Sequence, residues 1–188
     1  MTNLIRKPLE PFCVYGYCQG SSRQYTQDDL LGRWSVLFFY PADFTFVCPT
    51  ELKELGQLQP EFEQEGCQIF SVSEDTHFVH KAWADASDTI RELPFVMLAD
   101  PAGALARQFG VLIEEEGQAL RGTFLLNPAG EVVLYEIHDL GIGRSGKELL
   151  RKVQAAKFVA EHGDQVCPAS WQPGAETLTP SLDLVGLL

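Results

Sequence analysis

Residues 34–52, WSVLFFYPADFTFVCPTEL, are the stretch that decides the fold. The near-continuous apolar run from Trp34 to Tyr40 predicts a strand buried on both faces of a sheet. A loop that starts with Pro41 then leads to Cys48, at the predicted start of a helix. A thiol at this point faces unpaired backbone N–H groups and the positive end of the helix dipole, which favour the nucleophilic thiolate. The stretch therefore predicts an α/β protein with a reactive cysteine between a strand and a helix.

Strand and helix signals alternate along the rest of the chain. The predicted elements are a helix over 49–65, a strand over 67–73, a helix over 76–86, a strand over 95–98, a helix over 100–109, a hairpin over 122–126 and 131–137, and a helix over 145–161. Pro60 predicts a kink or break near Gln59 in the first helix, because proline cannot donate a helical hydrogen bond. This order predicts an α/β fold with a mixed central sheet flanked by helices.

The predicted domain organisation is a single domain over residues 1–163, followed by an extended C-terminal arm over 164–188. A length of 188 residues suits one hydrophobic core. The arm is rich in proline and ends in an apolar segment, 182–188. An apolar end on an extended arm predicts that the arm lies on a partner subunit.

Composition and charge exclude several function classes. The 14 basic and 26 acidic side chains give a net charge of −12, which disfavours nucleic acid and anionic membranes as partners. Segment 1–11 shows no signal peptide pattern, and no apolar run approaches the roughly 20 residues that span a bilayer. We expect a cytoplasmic protein, whose thiols are kept reduced. Its five cysteines are Cys13, Cys18, Cys48, Cys67 and Cys167. An odd number in a reducing compartment indicates one or two working thiols.

The loop before Cys48 contains the spacing Pro-x-x-x-Thr-x-x-Cys, formed by Pro41, Thr45 and Cys48. A loop that closes onto the helix start could place the Thr45 hydroxyl beside the sulfur, where it could donate a hydrogen bond to the thiolate or to a bound oxygen. Pro41 would restrict the backbone and shield the thiolate from water. The alternative is that Cys48 is a small buried hydrophobic residue, as most free cysteines are.

Several motifs closely resemble the typical two-cysteine peroxiredoxins, and among them the bacterial alkyl hydroperoxide reductase small subunit. They are residues 34–52, Arg-Gly-Thr-Phe at 121–124, Val-Cys-Pro at 166–168, residues 71–78 and the ending 180–186. The resemblance covers nearly the whole chain. It implies a thioredoxin-like fold and the reduction of hydrogen peroxide and organic hydroperoxides, with no cofactor and no metal.

The resemblance also implies roles for individual residues. Cys48 would attack the peroxide and become a sulfenic acid, and Cys167 of a neighbouring subunit would then attack Cys48 to form an intersubunit disulfide. Arg121 would stabilise the thiolate, Glu51 would orient Arg121, and Trp83 would line the site. The residues alone leave alternatives open: a surface charge for Arg121, a favourable carboxylate near a helix N-terminus for Glu51, a core aromatic for Trp83 and an incidental surface thiol for Cys167.

The same resemblance implies partners. The catalytic unit would be a homodimer, with five dimers forming a decameric ring, and a flavoprotein disulfide reductase or a thioredoxin would reopen the disulfide. Members that over-oxidise easily carry a Gly-Gly-Leu-Gly segment and a C-terminal Tyr-Phe. Because segment 87–94 has no glycine and the chain ends without Tyr-Phe, we expect resistance to over-oxidation. The alternative function is a redox-regulated holdase or a peroxide-signalling module. A general dithiol oxidoreductase is disfavoured by the lack of Cys-x-x-Cys.

Four further residues could bind a metal ion in principle. Cys13 and Cys18 match no catalytic position of the family, and their spacing lies outside common zinc motifs. Cys67 also matches no catalytic position, and we interpret it as a core residue at the start of a buried strand. His77 and His80 are three residues apart on a predicted helix. We interpret both histidines as structural or surface residues.

Overall fold

The structure is a computed structural model that describes residues 3–187. The strands are β1 (Cys13–Cys18), β2 (Ser21–Thr26), β3 (Trp34–Phe39), β4 (Cys67–Ser73), β5 (Val96–Ala99), β6 (Leu112–Ile113), β7 (Gln118–Ala119), β8 (Arg121–Leu126) and β9 (Val132–His138). The α-helices are α1 (Cys48–Gln64), α2 (His77–Ala86), α3 (Asp88–Arg91), α4 (Ala104–Gln108) and α5 (Gly146–Glu161). Two compact units divide the chain, Met1–Gly146 and Lys147–Leu188. The boundary that the sequence predicts between residues 163 and 164 stays a prediction.

The first unit is built on a seven-stranded sheet with the order β2-β1-β5-β4-β3-β8-β9. Strand β3 lies in its interior, parallel to β4 and antiparallel to β8. A strand with neighbours on both sides and both faces covered needs apolar residues at every position, which explains the unbroken apolar run of β3. The predicted α/β fold with a mixed sheet is confirmed.

Aromatic side chains fill the core on one face of this sheet. Because side chains alternate along a strand, Leu37 and Phe39 of β3 point to the same face. Phe39 contacts Phe124 of β8, with ring centroids 5.7 Å apart, and Phe109 lies 4.6 Å from Phe124. All of these side chains are buried. The core therefore fixes β3 and β8, the two strands that lead to the candidate site.

Helix α1 differs from its prediction, because it continues through Pro60 to Gln64 without a break. A break near Gln59 is therefore wrong, and a kink at this point stays a prediction. Proline removes one backbone hydrogen bond, but Leu52, Leu55 and Phe62 are completely or almost completely buried. Burial of three large apolar side chains is worth several kcal/mol, about 1.5–3 kcal/mol each, which is enough to keep the helix continuous.

Two other elements also differ from the sequence prediction. Helix α4 begins at Ala104 and not at Asp100, because the Asp100 carboxylate accepts hydrogen bonds from the backbone N–H groups of Ala104 and Ala106, both at 2.9 Å. The hairpin of β1 and β2 was not predicted. Residues 21–24 of β2 are all exposed, so this edge strand lacks an apolar pattern.

The second unit contains most of α5 and the segment that follows it. The predicted arm is held on this helix. The Trp171 ring packs against Phe158 in a tilted arrangement, with centroids 5.0 Å apart, and the Trp171 carbonyl accepts a hydrogen bond from Arg151 at 2.9 Å. Val166 and Leu178 form an isolated bridge. Beyond this point the apolar side chains are exposed, namely Leu182, Val185 and Leu187; Leu188 lies outside the described residues. Among residues 3–187, no helix has the length and apolar character needed to cross a bilayer.

Candidate active site

Cys48 is the first residue of α1, and its side chain is completely buried. Val47 precedes the helix and accepts a hydrogen bond from the Thr50 N–H at 3.0 Å, which closes the first turn. Pro49 occupies the second position, where the lack of an N–H breaks no helical hydrogen bond. The structure therefore places the Cys48 sulfur at the positive end of the α1 dipole, as the sequence predicts.

Arg121, at the start of β8, contacts the sulfur directly. Its Nη1 atom lies 3.4 Å from Cys48 Sγ and 2.8 Å from Glu51 Oε2. Its Nε donates to the carbonyl of Leu140 at 2.7 Å, which fixes the plane of the guanidinium. Arg121 and Glu51 are both only 3% exposed. The structure brings Cys48, Arg121 and Glu51 together, although Arg121 is more than 70 residues from Cys48 in the sequence.

A second arginine, Arg144, belongs to this cluster, and the sequence analysis missed it. Its Nε and backbone N–H donate to Glu51 Oε1 at 2.9 and 2.8 Å. Its Nη1 donates to the carbonyl of Gly122 and to the hydroxyl of Thr123, and its guanidinium carbon lies 3.3 Å from the Phe38 ring centroid. Burial lowers the pKa of Arg144, and the hydrogen bond and charge of Glu51 oppose that shift. Arginine keeps its charge even so.

Glu51 is one carboxylate between two guanidinium groups, those of Arg121 and Arg144. The charge of Glu136 also acts on Arg144. Arg121 is the cation that lies beside the Cys48 sulfur. Because Cys48, Glu51 and both arginines are buried, solvent and salt screen the interaction only weakly. The cluster can stabilise a thiolate at Cys48 and negative charge that develops on an oxygen bound next to it.

The loop between β3 and α1, residues 40–47, leads directly to Cys48. Pro41 is buried, and its shielding role stays a prediction. The Thr45 hydroxyl donates a hydrogen bond to the Ala42 carbonyl at 2.7 Å, within the loop, and not to Cys48. Phe44 has a φ of 56°, in the left-handed region that residues other than glycine rarely adopt. Other contacts must hold the loop in this conformation.

Trp83 of α2 packs behind the same loop. It is 4% exposed, and its ring lies 6.3 Å from the Tyr40 ring and 5.9 Å from the Phe44 ring, measured between centroids. Among residues 3–187, Trp83 forms no hydrogen bond with Arg121 or with Glu51. Trp83 is therefore a core aromatic that contacts the loop, and its predicted place in the wall of the site stays a prediction.

Comparison with known proteins decides the family. The sequence profile of the AhpC/TSA family matches residues 6–135, and that of the C-terminal domain of 1-Cys peroxiredoxin matches residues 155–186. The chain is 48% identical to alkyl hydroperoxide reductase C of Salmonella typhimurium over 184 residues, 98% of each chain, and 48% identical to that of Bacillus subtilis with the same coverage. The chain belongs to the AhpC/TSA family.

Solved structures of family members agree with this assignment. The AhpC crystal structure from Enterococcus faecalis is 51% identical with a TM-score of 0.87, covering 89% of this chain and 100% of that one. The reduced 2-Cys peroxiredoxin of Plasmodium vivax is 28% identical with a TM-score of 0.91, covering 97% and 96%. These relatives have a thioredoxin-like fold, so the predicted fold class is confirmed. The chain is an enzyme of the peroxiredoxin family that performs thiol-dependent peroxide reduction.

Cys167, the second thiol expected from the peroxiredoxin resemblance, lies in the second unit. It is half-buried, and its sulfur is 3.9 Å from the Ala155 carbonyl of α5. Burial raises the pKa of Cys167, and the charge of Arg151 opposes that shift. All five cysteines lie within residues 3–187, and none of them forms a disulfide within this part of the chain.

The remaining candidate residues form no hydrogen bond with the cluster of Cys48, Glu51, Arg121 and Arg144 among the described residues. Cys13 is exposed, Cys18 is half-buried and Cys67 is buried at the start of β4. His77 stacks on Tyr15 with ring centroids 4.6 Å apart. Over residues 3–187, no group of three or more His, Cys, Asp or Glu side chains is placed to hold a metal ion.

Proposed function

We propose that Cys48 is the peroxidatic cysteine of this enzyme. Its thiolate sulfur attacks the terminal oxygen of a hydroperoxide, the O–O bond breaks, and the departing oxygen takes up a proton and leaves as water or an alcohol. Cys48 is left as a sulfenic acid. The observation that carries the proposal is the 3.4 Å contact between Cys48 Sγ and Arg121 Nη1, within a buried cluster in which Glu51 pairs with both Arg121 and Arg144.

The charged cluster and the loop have separate roles in this proposal. Arg121 stabilises the thiolate and the negative charge that develops on the departing oxygen. Glu51 accepts hydrogen bonds from both arginines and orients them. Pro41 excludes water, and Thr45 orients the peroxide oxygens once its hydroxyl turns from Ala42 to the substrate. Trp83 supports the loop from behind.

Cys167 is the proposed resolving cysteine. Its thiol attacks the Cys48 sulfenic acid of a neighbouring subunit, a disulfide forms, and one water molecule leaves. A reductase then returns two electrons and two protons to restore both thiols. Support comes from the similarity to a protein described as a 2-Cys peroxiredoxin and from the position of Cys167 in a segment with little regular secondary structure. The division into a domain over 1–163 and an arm over 164–188 belongs to this proposal.

The proposal includes partners and location. We infer a homodimer that assembles into a decamer of five dimers, supported by the exposed apolar side chains of Leu182, Val185 and Leu187. The electron donor is a flavoprotein disulfide reductase or a thioredoxin, and five free thiols suit the cytoplasm. Nothing in the described residues favours the alternative holdase or signalling role.

A non-reducing gel tests the two-cysteine mechanism. Pre-reduced protein is treated with about one equivalent of hydrogen peroxide per subunit, the amount that one thiolate consumes. Wild type should form a disulfide-linked dimer, and Cys48→Ser and Cys167→Ser should not. Cys13→Ser is the matched control and should behave as wild type, because Cys13 is exposed and lies outside the site.

The variants also distinguish peroxide reduction from the alternative holdase function. A dimer that persists in Cys167→Ser would show that another cysteine resolves the sulfenic acid, and the assignment of Cys167 would be wrong. Peroxide consumption should be lost in Cys48→Ser. If this variant still suppresses the aggregation of a heated client protein while wild type consumes no peroxide, a holdase would replace the proposed function.

A further inference from the structure

Three buried side chains, Tyr40, Asp43 and His80, form a hydrogen-bonded network behind the loop of the site; we call it the loop latch. The Tyr40 hydroxyl donates to Asp43 Oδ1 at 2.7 Å. Asp43 Oδ2 accepts a hydrogen bond from His80 Nδ1 at 2.8 Å. The other ring nitrogen of His80 lies 3.3 Å from the carbonyl of Leu98. The latch therefore ties the loop after β3 to helix α2 and strand β5.

The latch is closed to solvent, so its hydrogen bonds are strong constraints. Tyr40 and His80 have no exposed surface, and Asp43 is 6% exposed. Burial raises the pKa of Tyr40 well above its usual range, so its hydroxyl remains a donor. A buried polar group that loses its partner costs more than the hydrogen bond itself contributes. Loss of one latch member should therefore loosen the loop.

The same loop is held at a second point and carries strain. The backbone N–H of Asp43 donates to Asp75 Oδ2 at 2.8 Å, and Asp75 accepts a further hydrogen bond from Ser73 at the end of β4. The next residue, Phe44, has a φ of 56°. Left-handed backbone at a bulky residue persists only where the surrounding contacts determine it. Asp43, beside Phe44, supplies these contacts.

The latch residues lie next to Pro41 and Thr45, two residues of the proposed site. Pro41 lies between Tyr40 and Asp43, and Thr45 follows two residues after Asp43. We propose that Tyr40, Asp43 and His80 are positioning residues that hold loop 40–47 closed over Cys48, and that the latch thereby sets how fast peroxide reacts and how often Cys48 becomes accessible. The proposal deepens the proposed function and rests on it for the effect on peroxide; the effect on access to Cys48 stands independently.

Thiol accessibility tests the latch directly. The variants are Tyr40→Phe, which removes only a hydroxyl, His80→Leu, which removes both ring nitrogens, and His80→Asn, which keeps a donor near the position of Nδ1. Reduced protein is treated with iodoacetamide, and each cysteine is quantified by peptide mass spectrometry. Cys67 is an internal control, because it is equally buried but lies on β4, outside the loop.

Loosening of the latch should expose Cys48 alone. In Tyr40→Phe and His80→Leu the alkylation rate of Cys48 should rise about five- to tenfold while that of Cys67 stays unchanged, as expected for local rather than global opening. His80→Asn should recover most of the wild-type rate. Tyr135→Phe is the matched control on β9 and should change neither rate. If His80→Leu fails to fold, the alkylation rates of Tyr40→Phe and His80→Asn still test whether the latch controls access to Cys48.

A single-turnover measurement supplies the second readout. The rate constant of reduced protein with hydrogen peroxide should fall in Tyr40→Phe, and His80→Asn should lie closer to wild type than Tyr40→Phe does. An unchanged alkylation rate of Cys48 in Tyr40→Phe and His80→Leu would contradict the proposed role of the latch. A parallel rise in the alkylation rates of Cys48 and Cys67 would contradict it as well. Failure of wild type to react with peroxide would overturn the proposed function instead, and the alkylation ratios would still test the latch.

Discussion

At the scale of single residues, the site depends on one carboxylate shared by two arginines. Glu51 accepts hydrogen bonds from Arg121 at 2.8 Å and from Arg144 at 2.9 Å, and each group is almost completely buried. Without the negative charge, two buried guanidinium groups would repel each other. Removal of one partner from a buried ion pair is much more costly than its net contribution suggests. The shared carboxylate therefore couples stability to catalysis.

Replacement of Glu51 by glutamine should reduce both properties. We expect Glu51→Gln to lower the free energy of unfolding by about 3 kcal/mol and to slow the reaction of Cys48 with peroxide, because Arg121 is no longer held against the sulfur. Urea unfolding and single-turnover kinetics measure the two effects. Glu61→Gln, at an exposed position of the same helix, is the control. Wild-type stability and rate in Glu51→Gln would contradict the shared-carboxylate account.

Glu74 gives the protein a pH-dependent stability. Both of its carboxylate oxygens are buried, and burial raises the pKa of Glu74 from 4.5 to about 8, with Asp100 and Asp75 acting in the same direction. The folded state therefore holds a proton that the unfolded state releases above pH 4.5. The contribution of Glu74 to stability is fully present below pH 4.5, decreases as pH rises, and is lost above about 8.

Glu74→Gln should remove this dependence, because the amide has no proton to lose. Its stability relative to wild type should increase steadily between about pH 5 and pH 8, as the linkage between protonation and folding requires. Urea unfolding at several pH values measures the difference. A difference that does not change with pH would show that Glu74 ionises normally in the folded protein.

The sequence predicted some of these residues and missed others for a physical reason. Cys48 and Glu51 are marked by a local pattern, a strand, a proline loop and a helix start, and Arg121 by its family motif. Arg144 reaches Glu51 across 93 positions of the sequence. His80 meets Asp43 across 37 positions, and a histidine on a helix carries no local sign of its partner.

At the scale of elements, β8 packs so closely that it permits only glycine after Arg121. A Cβ atom on Gly122 would lie 2.7 Å from Val111 and 2.8 Å from the ring of Phe124. The Gly122 carbonyl also accepts the hydrogen bond from Arg144. A shift of the strand would therefore move both arginines of the site.

Gly122→Ala should destabilise the protein by about 1–3 kcal/mol through overpacking and should slow the peroxide reaction, since Arg121 moves with the strand. Gly141→Ala is the matched control, because a Cβ atom there meets nothing within 4 Å. Thermal unfolding and single-turnover kinetics report both effects. Loss of stability with an unchanged rate would show that the site tolerates movement of β8.

The sequence predicted those helices and strands whose burial requires a pattern of apolar residues. The limits of β4 agree with the prediction residue for residue, because the strand is buried over nearly its whole length. The hairpin of β1 and β2 was missed because its outer strand, SSRQYT, is polar and buries only Tyr25. The continuity of α1 at Pro60 depends on tertiary packing that no local signal contains.

At the scale of the whole molecule, the reduced form cannot complete the proposed cycle as it stands. The Cys48 sulfur has no exposed surface, so no thiol of any subunit can reach it. A disulfide also needs the two Cα atoms within about 7 Å. The first turn of α1 and its loop must therefore open after the sulfenic acid forms. This opening competes with attack by a second peroxide molecule.

The last prediction concerns the outcome of that competition. Residues 87–94 form only the short helix α3 and its flanks, and the described chain after Glu161 has one bridge and one turn of 3₁₀ helix, so Cys167 lies in a segment with little regular structure to restrain it. Cys48 should therefore form the disulfide in preference to the sulfinic acid at modest peroxide, as intact-mass spectra would show. Cys167→Ser, which cannot resolve, should be over-oxidised at much lower peroxide. If wild type and Cys167→Ser were over-oxidised at the same peroxide concentration, opening of the α1 turn would limit disulfide formation in the wild type. The expected resistance to over-oxidation would then be wrong.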